Sequence, residues 1–338
     1  MVYFVQQTLI FTIPLMIVAL AGVFAERSGI INLALEGIMI MGAFIGVLVV
    51  RIFVQSMGRS AEEIGGLILL ITIIITMIAG AIFSLLLAFA SINLKADQAI
   101  GGTALNLLAP AVVLFMITLI CQQNTLNIPN TTSSAALFML FQEDFGFDAG
   151  KQLSDVGNIL FNKIYPTTYY AIVLFVGLSI VLYCTKFGLR LRSCGEHPQA
   201  ANSVGINVNK FRYIGVMISG ALAAFGGFIY ALTAAGCAST GDVAGLGFLA
   251  LAVMIFGNWK PLNIAGAALL FGALKCISAG YQYIDFNKDG IYALRNLGIS
   301  SHIYRILPYL ATLIVLAFTS KKSRAPKAEG IPYEKGQR

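Results

Sequence analysis

The side chains in this sequence that could carry chemistry are few and scattered. Its two histidines, His197 and His302, lie about a hundred residues apart and neither belongs to an HExxH pair, so a zinc-protease reading fails. No GxSxG elbow is present to expose a nucleophilic serine. Gly146 to Gln152 comes nearest to a phosphate-binding loop, but its glycine spacing is wrong and Lys151 is followed by Gln152 where Ser or Thr must hold magnesium. Asp285, Asn287, Asp289 and Gly290 match the first half of a calcium loop, yet Asn296 stands where a bidentate Glu must close it, and an Asx-rich turn explains the run more cheaply. Asn130-Thr131-Thr132 has the form of a glycosylation sequon. Cys121, Cys184, Cys194, Cys237 and Cys276 include no CxxC pair and read as small packing residues. Enzymatic chemistry is therefore weakly supported.

A second set of polar residues lies in or beside long apolar runs, where an unpaired charge is costly: Glu26, Arg27, Asn32, Glu36, Asn106 and Asp242. Such groups can line a pathway or form a gate. The competing expectation is an ion pair, Arg27 with Glu26 or Glu36, that fixes local backbone and touches nothing transported.

The elements that must position these groups are membrane helices. Of 338 residues, 58% are hydrophobic and 11% charged, a balance that cannot cover a water-soluble core. A crossing needs roughly 20 apolar residues. Runs near Thr8–Ala25, Ile38–Val54, Leu67–Ala90, Thr103–Cys121, Thr167–Cys184, Tyr213–Ala235, Phe248–Gly257, Ile264–Gly280 and Ile306–Thr319 give about nine spans, with eight to ten as the range. The fold class is therefore all-α and polytopic. Residues 1–320 form one transmembrane domain and 321–338 a basic tail. The N-terminus lacks the basic region and cleavage site of a secretory signal, so its apolar run is expected to be a retained span.

Two intervals interrupt the pattern. Gly29–Gly37 is too short to cross and carries Asn32 and Glu36, and Gly236–Gly247 is punctuated by glycine and carries Asp242. Broken or re-entrant backbone of this kind is tolerated only where protein or water covers it. Gly29–Gly46 and Gly241–Asn258 share a form, Gly then a short stretch with one acid and an apolar run with Met and Phe, and such a pair in corresponding halves would suggest an internal duplication around a central pathway. Gly220, Ala221, Ala223, Ala224, Gly226 and Gly227 form a stripe that would let another helix approach the sixth span closely. Lys275, a few residues from its helix end, is expected to snorkel outward.

The loop 185–212 is strongly basic, with Lys186, Arg190, Arg192, Lys210 and Arg212 against Glu196 alone. Positive-inside bias places it in the cytoplasm together with the basic tail. An odd span count then puts the N-terminus outside, as well as the weakly acidic loop 122–166. Within the basic loop Pro198 can open a short helix that Gly205 stops, a plausible docking element. The net charge of +7 is explained by these loops without nucleic-acid binding.

Taken together, Glu26-Arg27-Ser-Gly29-Ile-Ile-Asn32-Leu-Ala-Leu-Glu36-Gly37, Ala96-Asp97-Gln98 with Gly102-Thr-Ala-Leu-Asn106, Gly195-Glu-His-Pro198-Gln-Ala200-Ala201 with Gly205-Ile206-Asn207, and Leu307-Pro308-Tyr309 resemble one family. It is the permeases of ABC importers of the branched-chain amino acid and simple-sugar class, with a type II importer-like fold. Within it the chain is similar to the shorter permease of bacterial nucleoside (guanosine and uridine) importers. The resemblance implies a multi-pass subunit in a bacterial cell membrane, paired with a second, longer permease. A cytoplasmic ABC ATPase that holds the ATP and magnesium would drive the pair, and an extracytoplasmic substrate-binding lipoprotein would feed it. This chain would carry no cofactor. Gly195, Glu196, His197, Pro198, Ala200, Ala201 and Gly205 would couple to the ATPase, with His197 standing where the family usually has Asn. Asn32, Glu36, Asn106 and Asp242 would line the pathway for a nucleoside. A simple sugar or a branched-chain amino acid is the alternative cargo, and an ion-coupled secondary transporter the alternative mechanism.

Overall fold

The computed structural model describes residues 2–58, 64–128, 138–145, 154–282, 300–319 and 324–334. The sequon, the Gly146–Gln152 loop, the Asp285–Gly290 loop with Asn296, and Lys321, Lys322, Lys335 and Arg338 lie outside those residues.

Twelve α-helices are present among them: α1 Val2–Arg27, α2 Leu35–Met57, α3 Gly65–Ile92, α4 Gln98–Cys121, α5 Asp155–Phe161, α6 Pro166–Cys184, α7 Lys186–Glu196, α8 Pro198–Ser203, α9 Val208–Thr233, α10 Leu246–Phe256, α11 Pro261–Gly280 and α12 Ser301–Thr319. Seven of these (α1, α2, α3, α4, α6, α9 and α11) are long and apolar enough to cross a membrane. The apolar α10 is shorter, 11 residues or about 16 Å, which is half a bilayer core. With α12, each of the nine expected crossings has a helix, and no strand is found among the described residues.

The centre is a pair, α1 and α9, both apolar on nearly every face and buried along most of their length. On one side α2 and α3 pack against α9, with α4 beyond them; on the other, α10 and α11 pack against α1, with α12 outside. In contrast, α3, α4, α6 and α11 turn large apolar side chains outward, among them Ile78, Phe115, Val173 and Leu262. A water-soluble protein could not afford that surface, whereas lipid or a partner subunit covers it.

The small-residue stripe on α9 is the reason the centre closes. A Cβ on Gly227 would sit 2.0 Å from the Met39 carbonyl oxygen of α2, and one on Gly220 would sit 2.5 Å from the Gly80 carbonyl of α3. Backbones that approach so closely leave no room for a methyl group, and overpacking costs about 1–3 kcal/mol. Gly227→Leu is accordingly expected to cut the yield of monodisperse, heat-stable protein severalfold, as read by size-exclusion chromatography after a heat step. Gly177→Leu on α6, where an added Cβ meets nothing within 4 Å, leaves that yield unchanged.

Short elements cap the two ends. At the basic end lie Arg27, α7 and α8, the start of α9 and the turn between α10 and α11. At the opposite end the Gln6 side-chain amide donates to the carbonyls of Asn158 and Asn162, and Leu126 pairs with Ser239.

Candidate functional site

Two regions collect the polar residues that the sequence singles out. The first lies inside the bundle, where both interrupted segments meet. After α1 ends at Arg27, the chain turns through Gly29, whose φ of +96° favours glycine, and runs without helix until Leu35. The freed backbone groups are taken up by side chains. Asn106, about 12 Å along α4, accepts from the Gly37 N–H at 2.8 Å through Oδ1 and donates to the Leu33 carbonyl at 2.7 Å through Nδ2. The fully buried Asn32 accepts from Ala34 N–H and donates to Ser219 on α9. Gln98 accepts from Ile31 N–H at 2.7 Å.

The second interrupted segment returns from Ala234 to Gly245, and α10 then starts inside the bundle. Its first N–H groups point at one carboxylate: Glu36 accepts from Gly245 at 3.0 Å, Gly247 at 2.6 Å and Phe248 at 3.3 Å. A helix N-terminus carries about half a positive charge and several unbonded N–H groups, so a buried anion there satisfies both partners at once. Glu36 is thus the acidic cap of a half-helix more than two hundred residues away in the chain. It does not pair with Arg27.

Of the four pathway candidates, then, Asn32, Glu36 and Asn106 have their polar atoms committed to holding broken backbone. Asp242 is different: it caps Ala244 N–H at 3.0 Å but stays exposed. Beside it, Lys275 of α11 turns inward, donating to the Ala244 carbonyl at 2.8 Å with its ammonium 5.6 Å from the centre of the Tyr309 ring. The expected snorkelling does not occur, because an acceptor and an aromatic face lie within reach. Lys275, Tyr230, Tyr309, Tyr281 and Arg305 line an adjoining cavity of about 680 Å³. None of these five stood out as a site residue in the sequence.

The second region is the basic end. Thr185 caps α7 through a bond from Gly188 N–H, and His197 Nδ1 accepts weakly from Ala200 N–H at 3.4 Å, filling the cap position of α8. A small apolar cluster of Cys194, Ala201 and Val208 fastens α7 and α8 to the start of α9. A Cβ on Gly195 would lie 2.5 Å from the Arg27 carbonyl, so the α7–α8 corner rests directly on the end of α1. Arg27 itself pairs with Glu196 at 3.1 Å, across that contact. The expected local pair with Glu26 or Glu36 is replaced because Gly195 brings a more accessible carboxylate alongside. Burial pushes the Cys194 thiol up to about 11, which keeps it neutral in this cluster.

Of the seven candidate coupling residues, Gly195, Pro198 and Ala201 are buried and build the corner, whereas Glu196, His197, Ala200 and Gly205 are exposed. Val204, which the sequence reading passed over, joins the exposed set at 74% accessibility. A bare valine beside Ala200 on a basic surface is an apolar contact point with no partner among the described residues.

Interrupted segments tied together inside a bundle of helices long and apolar enough to cross a membrane, with an exposed helical corner seated on the central helix, describe a multi-pass membrane protein. The chain belongs to the family described as branched-chain amino acid transport system / permease component, whose model matches residues 4–316. Among curated relatives it is 40% identical over 339 residues to the guanosine ABC transporter permease protein NupQ of Bacillus subtilis, covering 99% of this chain and 97% of that one. It is 38% identical over 336 residues to the nucleoside ABC transporter permease protein NupC of Lactococcus lactis, covering 98% and 97%. A second permease of that Lactococcus, the nucleoside ABC transporter permease protein NupB, is 24% identical over 334 residues, covering 96% and 84%. No solved structure matches the chain. The protein is thus a permease subunit of an ABC transporter, and such subunits are not themselves enzymes.

Proposed function

We propose that this chain is the shorter of two different permeases in a nucleoside importer, moved by a separate ATPase and supplied by an extracytoplasmic binding lipoprotein. The observation that carries the cargo is the near full-length 40% identity to a guanosine permease. The pairing with a sister subunit is supported by the two distinct nucleoside permeases of Lactococcus, which this chain matches at 38% and 24% identity. ATP and magnesium belong to the ATPase, and this chain holds no cofactor of its own. The basic end with residues 185–212 faces the cytoplasm, the N-terminus and loop 122–166 face outward, and membrane lipid surrounds the bundle.

In this scheme Glu196, His197, Ala200, Val204 and Gly205 present the corner that enters a groove on the ATPase, and Gly195, Pro198 and Ala201 give it a rigid seat. Shifting a two-state gate from 1:99 to 99:1 takes about 5.5 kcal/mol of differential binding, which closure of the ATPase around the corner supplies. The force reaches the interior because the corner rests on α1 and the chain continues from α1 into the broken segment that Glu36 ties to α10. Substrate passes along the face that exposes Asp242, where Tyr230 and Tyr309 offer aromatic surfaces to a base and Asp242 an acceptor to ribose hydroxyls. Asn32, Glu36 and Asn106 act on the pathway by holding its walls.

The test is uptake of labelled guanosine and uridine by cells carrying the permease pair, ATPase and binding lipoprotein, with and without this chain. ATP-dependent nucleoside uptake that vanishes without the chain is expected, together with a tenfold or larger rise in the half-saturating concentration for Asp242→Ala at unchanged membrane abundance. Uptake of a sugar or branched-chain amino acid in place of nucleosides contradicts the cargo. Uptake that an ion gradient drives without ATP contradicts the mechanism.

A further inference from the structure

Two helix faces build the cavity beside Asp242. On α12 the lining residues Ser301, Arg305 and Tyr309 stand four apart, so they share one side of the helix over about 12 Å, while Ile303, Ile306 and Leu310 are exposed on the opposite side. From α11 come Lys275 and Ala279, again four apart. The rest of the wall is largely aromatic. Tyr281 has its ring stacked on the buried Tyr304, with centroids 4.3 Å apart and planes 12° from parallel, and Tyr230 lies across from it on α9. At about 680 Å³ the space is of the size that takes small organic ligands.

Lys275 and Arg305 bring two cations into this space, and among the described residues no Asp or Glu lines it and neither cation is in an ion pair. Lys275 gives one N–H to the Ala244 carbonyl at 2.8 Å and keeps the others free. Guanidinium and ammonium groups only donate, whereas the serine and tyrosine hydroxyls around them donate or accept as a partner requires. Gln282 supplies the converse group: its amide nitrogen donates to the Tyr281 hydroxyl at 2.8 Å, which leaves its carbonyl oxygen to accept. An arginine near a helix end often serves as a headgroup anchor. Arg305, however, lines the cavity, on the side of α12 away from Ile303 and Ile306.

We propose that Lys275 and Arg305 make the pathway selective for nucleosides whose base carries a carbonyl, such as guanosine and uridine, over those with an amino group in its place, adenosine and cytidine. The inference deepens the nucleoside reading above and rests on it. Guanine presents O6 and N7 as neighbouring acceptors that one guanidinium takes together, and adenine puts an amino donor where O6 stood. Uracil offers O4 where cytosine offers an amino group. The ring N–H beside the carbonyl in guanine and uracil finds its acceptor in Gln282. An amino group set against either cation leaves both donors without a partner, and a site built on fixed donors rejects such a mismatch more strongly than an apolar pocket does. One two-point contact of this kind separates bases by roughly 5- to 150-fold.

The experiment compares uptake of labelled guanosine, adenosine, uridine and cytidine, each at low concentration, by the complete importer, with the same ATPase and binding lipoprotein throughout and only this chain varied. The readout is a ratio of uptake rates, so the amount of permease reaching the membrane cancels. The wild type is expected to favour guanosine over adenosine and uridine over cytidine by about tenfold or more. Arg305→Gln, whose amide can face either edge, lowers the guanosine-to-adenosine ratio about fivefold or more, chiefly by slowing guanosine. Arg305→Lys, a single-point donor, lowers that ratio as well but keeps the uridine preference. Equal uptake of all four by the wild type overturns the inference. A guanosine-to-adenosine ratio that Arg305→Gln leaves unchanged also overturns it and assigns the preference to the binding lipoprotein. Guanosine monophosphate carried better than guanosine overturns it too, because the two cations then read phosphate. An importer that moves no nucleoside at all removes the nucleoside reading itself, an outcome distinct from nucleosides moved without selection.

Discussion

Val204→Asp abolishes nucleoside uptake and stimulation of the partner ATPase while the permease accumulates in the membrane at its normal level. Val204 is 74% exposed, and its α8 neighbour Ala200 is also exposed. In the isolated chain a carboxylate there sits in water, and such surface changes shift stability by about 0.5 kcal/mol or less. In a docked interface the same carboxylate is buried without a partner, which costs about 2–5 kcal/mol, or roughly 30-fold to more than 1,000-fold in affinity. The two readouts separate because the apolar seat of the corner, Cys194, Ala201 and Val208, lies on the inner side and is untouched. Uptake assayed beside membrane abundance decides it. Normal uptake by the variant removes α8 from the interface.

Glu36→Ala acts on folding. The carboxylate accepts three backbone N–H groups of the α10 start, and no other acceptor is recorded for them among the described residues. Each buried N–H left without a partner costs about 1–3 kcal/mol, and the favourable interaction of an anion with the helix end is lost as well. A total near 3–5 kcal/mol is expected, a large share of the roughly 5–15 kcal/mol that ordinarily separates folded from unfolded protein. Glu36→Gln keeps one oxygen acceptor but sets an NH₂ group against N–H donors, so it should recover less than half of the loss. Thermal unfolding of the purified chain, followed by intrinsic fluorescence, measures both. An Ala variant that unfolds within a degree or two of the wild type contradicts the capping role.

The spans were legible because membrane helices are read by length and apolarity, and α1, α3, α4 and α9 satisfy both without ambiguity. The corner of α7 and α8 was legible from local signals: Pro198 at the first helical position and Gly205 two residues past its end. Its division into a buried seat and an exposed face was not, because six residues are too few for a hydrophobic period to emerge. The interior contacts were hidden for another reason. Glu36 with α10, Glu26 with Trp259, and Arg27 with Glu196 each join residues more than 160 positions apart, and nothing local marks the partner. Position in an apolar run said only that these charges needed compensation.

On the proposed function the corner after Cys194 faces the cytoplasm, where a motor outside this chain can grip it. Sided labelling tests that most directly: Val204→Cys in a chain whose exposed Cys184 is replaced by Ser, treated with a membrane-impermeant maleimide. Labelling is predicted in inverted vesicles, blocked when the ATPase is bound, and absent in intact cells. Labelling of Val204→Cys in intact cells would put the corner on the outer face and rule out its coupling to a cytoplasmic ATPase.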